Sequence, residues 1–210
     1  MGKIDINSLG ISGKIGPIIA YVTKTGKQVF KKYVVPKDPR TEKQLASRMR
    51  FGLANSAASP LNKALKRSFS NQANAYRKTV SQILKNAIQG EYPNYSIDYS
   101  RIKIAEGELE SLPGVTMSCD IESATASFKW DGEFNSSSHR EGAVDKVNFI
   151  CLNETVSKAK SFIDCALRQN GNAEINLSDI ISSNRDKLHF WVYLTSTDGR
   201  NSAGYYAGSS

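Results

Sequence analysis

The stretch Gly90-Glu91-Tyr92-Pro93-Asn94-Tyr95-Ser96-Ile97-Asp98-Tyr99 divides the chain. Before it, apolar residues recur every three or four positions. After it, they alternate with polar ones in short runs bounded by turn residues. Gly90 offers a helix stop, and Pro93 cannot continue a helix. The charge changes sign at the same place. Residues 1–92 hold 17 Lys or Arg against 4 Asp or Glu, a net of +13. Residues 93–210 hold 11 against 16, a net of −5, within a total of +8. Two independent patterns that break together predict two modules, 1–92 and 93–210, with different partners.

Working back from the break, three amphipathic stripes predict three helices. The nearest is Ala73, Tyr76, Val80, Ile83, Leu84, Ala87 and Ile88. Before it, Leu61, Leu65 and Phe69 repeat every four residues behind Ser59-Pro60, a capping serine followed by proline at the first helical position. The first stripe is Leu45, Met49 and Leu53, and Thr41 with Gln44 has the spacing of a capping box that starts a helix near Glu42. Upstream, Ile18–Val22 and Val29–Val35 read as strands joined by Thr23-Lys24-Thr25-Gly26-Lys27, a hairpin with glycine available for positive φ. Gly10, Gly13 and Gly16 read as a loop.

Working forward, Tyr95–Tyr99 and Arg101–Ile104 read as short bridging strands. Longer strands follow at 115–121, 124–130, 146–153, 160–168, 173–177, 188–197 and 203–207. Pro113-Gly114, Asp131-Gly132, Asn170-Gly171 and Asp198-Gly199 separate them. About seven strands in about 100 residues predict an immunoglobulin-like β-sandwich. Trp130 and Trp191 are its expected core anchors, and the absence of a Cys–Trp–Cys framework favours a fibronectin-type topology. The fold class is therefore α+β: a β-hairpin and about three helices, then an Ig-like antiparallel sandwich.

Composition narrows the function. At 40% hydrophobic and 9% aromatic residues, the chain is too apolar for wholesale disorder. The start, MGKIDINSLG, has no signal-peptide core, and no run approaches the roughly 18 apolar residues of a membrane helix. The expectation is a soluble protein without a membrane partner, cytoplasmic at synthesis. Cys119, Cys151 and Cys165 have neither disulfide nor zinc spacing and read as thiols packed as small hydrophobes. No metal or other cofactor is expected.

Catalytic patterns are missing. His139 lies in a serine-rich loop, and His189 lies in a strand, facing out if Phe190 faces in. Neither has a partner at ligand spacing. Gly10-Ile11-Ser12-Gly13-Lys14 lacks the spacing of a phosphate loop and precedes a strand instead of following one. Glu106, Glu108 and Glu110 alternate as a solvated face would. A non-enzymatic protein is the expectation.

The basic half is different, because its charge is dense and interleaved with aromatics. Lys24, Lys27, Lys31 and Lys32 decorate the hairpin near Tyr21, Phe30 and Tyr33. Lys37, Arg40, Lys43, Arg48 and Arg50 continue through the linker and first helix, and Lys63, Lys66, Arg67, Arg77, Lys78 and Lys85 extend along the following helices. Such a surface suits nucleic acid, through counterion release, or an acidic protein partner. The acidic half of a second copy would serve, giving head-to-tail self-association.

The motifs Gly13-Lys14-Ile15-Gly16 and Pro39-Arg40-Thr41-x-x-Gln44-x-x-x-Arg48-x-x-Phe51, with Tyr92-Pro93-Asn94-Tyr95, carry a resemblance. Through them the chain resembles an uncharacterised family of roughly 200-residue proteins from Bacteroidota and their phages, in which a G-K-[IV]-G start and an N-P-R-T-x-x-Q-x-x-x-R-x-x-F block precede an Ig-like tail. Asp38 stands where that family usually has Asn. The resemblance implies no activity. It suggests a phage or mobile-element setting, as a virion or tail-associated component. Two other classes stay open: a surface or carbohydrate-binding adhesin using Tyr92, Tyr95 or Tyr99, and a hydrolase whose pocket gathers His139 or His189 with carboxylates.

Overall fold

The computed structural model describes residues 11–70, 72–112, 114–132 and 142–210. His139 and its serine-rich loop lie outside the described residues, as does Gly10. The chain divides into two compact units, Met1–Thr41 and Glu42–Ser210. The expected division near residue 92 follows charge and periodicity; compactness divides the chain after Thr41, for a reason visible in the second unit.

The first unit is a small antiparallel meander of β1 (Gly13–Ile15), β2 (Ile18–Val22) and β3 (Gln28–Lys32), in that order. The expected hairpin is β2–β3, with Ala20 opposite Phe30. Its turn is closed by Thr23, whose amide donates to the Lys27 carbonyl at 2.9 Å and whose Oγ1 accepts from the Lys27 amide at 3.0 Å. Gly26 takes φ +79° there, as the turn requires. The strand β1 replaces the expected glycine loop: its three residues, Gly13 to Ile15, are too few to show periodicity, yet they pair fully with β2.

The second unit opens with α1 (Glu42–Ala58), α2 (Asn62–Ser68) and α3 (Ala75–Asn86). Helix α1 starts at the expected residue. Helix α2 starts after Leu61, because Ser59 and Pro60 form a turn ahead of it and not its first positions. After α3, β4 (Ile88–Gln89) and β5 (Ser96–Ile97) pair across a turn in which Gly90 has φ +88°. Residues 101–104 are not a strand. A 3-10 turn at Tyr99–Arg101, capped by Asp98 accepting from the Ser100 amide at 3.1 Å, delivers Ile102 and Ile104 into the core.

The remaining chain forms two antiparallel sheets. One has the order β10 (Asn172–Asn176), β7 (Thr125–Lys129), β6 (Thr116–Asp120). The other has the order β12 (Tyr205–Ser209), β11 (Leu188–Thr195), β8 (Lys146–Asn153), β9 (Lys158–Leu167). Phe128 from the first sheet stacks on Phe149 at 4.1 Å and meets Phe190 edge-on at 5.7 Å, both from the second. Val147, Cys151, Val192 and Leu194 share this inner cluster. The alternate residues of the same strands, Ile150, Leu152, Trp191 and Tyr193, point the other way. They join Leu61, Leu65, Val80 and Ile83 of the helices and Ile104 in a second cluster.

The four-stranded sheet is thus a middle layer. Its central strands read Phe149-Ile150-Cys151-Leu152 and Phe190-Trp191-Val192-Tyr193-Leu194, apolar at every position, and both faces must be covered. The helices supply one cover and cannot be separated from the strands without exposing that cluster. Trp191 therefore anchors the helix side, while Trp130 lies on the sheet-facing side and donates from Nε1 to the Arg168 carbonyl at 2.7 Å. Cys151 is buried and Cys119 and Cys165 half-buried, all as free thiols.

One buried amide ties the two layers. The Asn201 Nδ2 donates to the carbonyls of Arg67 at 3.2 Å and Ser68 at 2.9 Å at the end of α2, where the Arg67 carbonyl also accepts from the Ser70 amide at 3.0 Å. Its Oδ1 accepts from Thr195 Oγ1 of β11 at 2.8 Å. Ser68 in turn donates to the Ile104 carbonyl. Gly107 is pressed against the Asn201 backbone, and a Cβ there would sit 1.7 Å from the Asn201 carbonyl oxygen. Asn201→Ala should cost about 1–3 kcal/mol by removing the side-chain donor to the buried Ser68 carbonyl and the acceptor for the Thr195 hydroxyl. Gly107→Ala should cost about 1–3 kcal/mol through forced backbone movement. Urea unfolding of the whole chain measures both; changes below about 0.5 kcal/mol, the range of ordinary surface substitutions, would disprove the tie.

Candidate interaction surface

All fifteen cationic residues singled out from the sequence are exposed, Arg77, Lys78 and Lys85 among them on α3. Lys24, Lys27, Lys31, Lys32, Lys37 and Arg40 lie in the first unit, in the β2–β3 turn, on β3 and in the segment after it. Lys43, Arg48 and Arg50 project from α1, and Lys63, Lys66 and Arg67 from α2, in the second. Some of these cations also have structural work. Arg50 donates from Nη2 to the Leu84 carbonyl at 2.9 Å, joining α1 to α3, and its guanidinium lies 6.0 Å from the Tyr95 ring. Lys14, which was not singled out, packs its ammonium 3.7 Å from the centre of the Tyr33 ring.

The first unit also carries a feature that charge counting misses. Ala20 is the only buried hydrophobic residue among its described residues. Ile15, Ile18, Val22 and Phe30 are between 42% and 52% exposed. The strand registers put these four and Ala20 on one face of the meander, since Ile15 lies opposite Ile18 and Ala20 opposite Phe30. Tyr21 on the other face and Val34 and Val35 beyond β3 are exposed as well. Scattered exposed hydrophobics are ordinary, whereas here four large apolar side chains are gathered on one face of a small sheet. The signal was present in the sequence as apolar residues in a hairpin with no neighbouring element assigned to cover them.

Helix α1 shows the same on a smaller scale. Of its expected apolar stripe, Leu45 and Leu53 are half-buried and Met49 is exposed, along with Phe51. Full burial is confined to Ala54, Ala57 and Ala58 at its C-terminal end.

His189 does meet a carboxylate. It lies on the helix-side face of the middle sheet, stacked on Tyr99 with ring centres 4.1 Å apart. Its Nδ1 lies 2.9 Å from the Tyr206 hydroxyl and its Nε2 3.3 Å from Glu154 Oε2, beside a cavity of about 490 Å³. A neutral ring satisfies both contacts: Tyr206 donates to Nδ1, and Nε2–H donates to Glu154. Burial lowers the His189 pKa despite Glu154, and burial raises that of Tyr206, so both groups favour their uncharged forms. The glutamates expected to form one face diverge, Glu106 pairing with Lys78 at 2.9 Å and Glu110 with Arg168 at 3.4 Å. Among the described residues no group of three metal-ligating side chains occurs, and no helix is long and apolar enough to cross a membrane.

The His189 pKa is depressed on folding, so its neutral form stabilises the folded chain. That contribution is present above the unfolded value of about 6.5 and is lost as pH falls through the folded pKa below it. Urea unfolding between pH 7.5 and 5 should show a fall in stability that His189→Gln flattens. An unchanged slope in the variant would show that His189 does not carry it.

No curated protein and no solved structure matches the chain. A family model does, over residues 10–208, and its description is "Family of unknown function (DUF6266)". That match takes in the exposed meander, the helical layer and both sheets, and the chain belongs to this family.

Proposed function

We propose that this is a non-enzymatic assembly protein whose N-terminal meander docks, through its apolar and lysine-bearing surface, on the acidic strand-rich part of a second copy. The observation that carries the reading is the exposed face of Ile15, Ile18, Val22 and Phe30. Phosphates reward cations and stacking rings, whereas aliphatic side chains gain by being removed from water against another protein. The surrounding Lys24, Lys27, Lys31 and Lys32 then need an acidic rim, and residues 93–210 carry the net −5. Exposed Asp120, Glu122 and Glu174 on or beside the three-stranded sheet offer one.

The strand order supports an Ig-like module of fibronectin type as the receiving body. Taking β6 to β12 in turn, the first, second and fifth form one sheet and the third, fourth, sixth and seventh the other. That is the distribution of a seven-stranded sandwich in which the fourth strand joins the larger sheet. Repeated modules of this kind, linked head to tail, suit a phage or mobile-element particle.

Light scattering on the eluting full-length protein tests the reading. Oligomers of the 23.1 kDa chain should form at low salt and weaken as salt rises. The double variant Ile18→Ser with Phe30→Ser should be monomeric with an unchanged unfolding midpoint for the second unit. A parent chain that stays monomeric at high concentration, or a variant that assembles like the parent, would overturn the reading. A gel-shift titration in parallel reports the nucleic-acid alternative: salt-sensitive DNA binding without self-association would replace it.

A further inference from the structure

A cavity of about 750 Å³ lies within the second unit, and its lining shares no residue with the cavity beside His189. One wall is a face of α3, and the other is formed by segments 103–107 and 203–204, with the end of α2 closing the base. Arg77, Lys78, Lys85 and Lys103 line it, against one carboxylate, Glu106. Lys78 is engaged, donating to Glu106 at 2.9 Å and to Gln72 at 2.7 Å. Arg77, Lys85 and Lys103 have no acidic partner among the described residues. From Arg77 to Lys85 the helix rises about 12 Å, so the free charge is spread along an edge and not focused at a point.

The rest of the lining is apolar or neutral. Phe69, Ala105, Ala203 and Gly204 supply the floor. Thr79, only 1% exposed, also lines the cavity, and its Oγ1 has no hydrogen-bond partner. A buried hydroxyl left unpaired carries a free-energy cost. The walls are held in place by Gln82. It donates from Nε2 to the Arg101 carbonyl at 2.6 Å and accepts from the Lys103 amide at 3.1 Å, fixing the segment that carries Lys103 against α3. The volume is within the range of small-molecule sites, about 300–1,000 Å³.

We infer that this cavity binds a small molecule joining a chain of phosphates to an apolar ring system, of the size and charge of a nucleoside polyphosphate. The phosphates lie along the Arg77–Lys85 edge with Lys103 opposite, where Arg77 can engage two oxygens at once. The ring lies on the floor beside Phe69. The inference is independent of the assembly reading, since the cavity and the meander belong to different units.

Calorimetric titration of the full chain at low salt, with ATP, pyrophosphate and adenosine as separate probes, tests it. ATP should bind saturably at one site, and the two fragments more weakly, because each uses half of the lining. Arg77→Ala and Lys103→Ala should each weaken ATP by about tenfold, the loss of one charge-assisted contact. Thr79→Val should weaken it less, and Lys24→Ala with Lys27→Ala should leave it unchanged. Arg77 and Lys103 are exposed, and equal urea midpoints confirm that those variants fold. Three results would overturn the inference: no saturable binding of ATP, parent-like affinity in Arg77→Ala and Lys103→Ala, or an equal loss in the Lys24 and Lys27 variant, which would mean diffuse attraction to a basic chain. Because self-association is read separately by light scattering, failure here leaves the assembly reading standing, and the reverse holds too.

Discussion

The four-stranded sheet can exist only if both of its faces are covered, and the organisation of the second unit follows from that. Strands β8 and β11 pair over their whole length, Phe149 opposite Val192 and Ile150 opposite Trp191. Removing either cover would expose a row of large side chains, among them Trp191 and Tyr193 on one side and Phe149 and Phe190 on the other. At about 1.5–3 kcal/mol for each such side chain, either loss approaches the whole stability of a typical domain. The helices are therefore a layer of the same body as the strands. The ties around Asn201 and Gly107 fix how the layer sits, but the apolar area makes it obligatory.

This separates two boundaries that coincide in many proteins. Charge changes sign near Pro93 because the helices turn their polar sides outward and carry Lys63, Lys66, Arg67, Arg77 and Lys85 there. Cohesion ignores those side chains and follows Leu61, Leu65, Val80 and Ile83 beneath them. A helix can thus be electrostatically part of the basic half and mechanically part of the acidic half. The cationic cavity beside α3 lies at that seam, with its charge drawn from the helix and its floor partly from the strand-rich half.

Much of this was legible in the sequence. The start of α1 at Glu42, the hairpin with Gly26 in its turn, and the strands of the later half followed from period and turn chemistry. What failed shares one cause: periodicity describes one element and is silent on what covers it. The segment 146–153 reads as one strand of a two-layer sandwich, yet Phe149-Ile150-Cys151-Leu152, apolar at every position, calls for a cover on its other face as well. The same oversight put His189 toward solvent, when Tyr99 and Tyr206 lie on that face. β1 was missed because three residues, the first of them a glycine, have no period to detect. The cationic cavity was beyond reach, since Lys103 and Arg77 are brought together only by the return of the chain after α3.

The rule that organises the second unit also bears on the first. The meander has the alternation of a half-buried sheet, but its apolar face is open and its strands are at most five residues long. A sheet this small draws little stability from its own contacts and gains much from a surface laid against it. How a partner would approach is constrained by the edges. In the order β1, β2, β3 the outer strands carry Lys14 on one side and Lys31 and Lys32 on the other. Lysines on edge strands discourage pairing by strand addition, which would bring them against another backbone. The face has no such guard: Ile15, Ile18, Val22 and Phe30 present aliphatic and aromatic surface with Lys32 at its margin. On the proposed assembly, an incoming body would thereby lie flat on the sheet with its acidic groups at the rim. That geometry buries the apolar face and satisfies the lysines together, whereas strand addition would do neither.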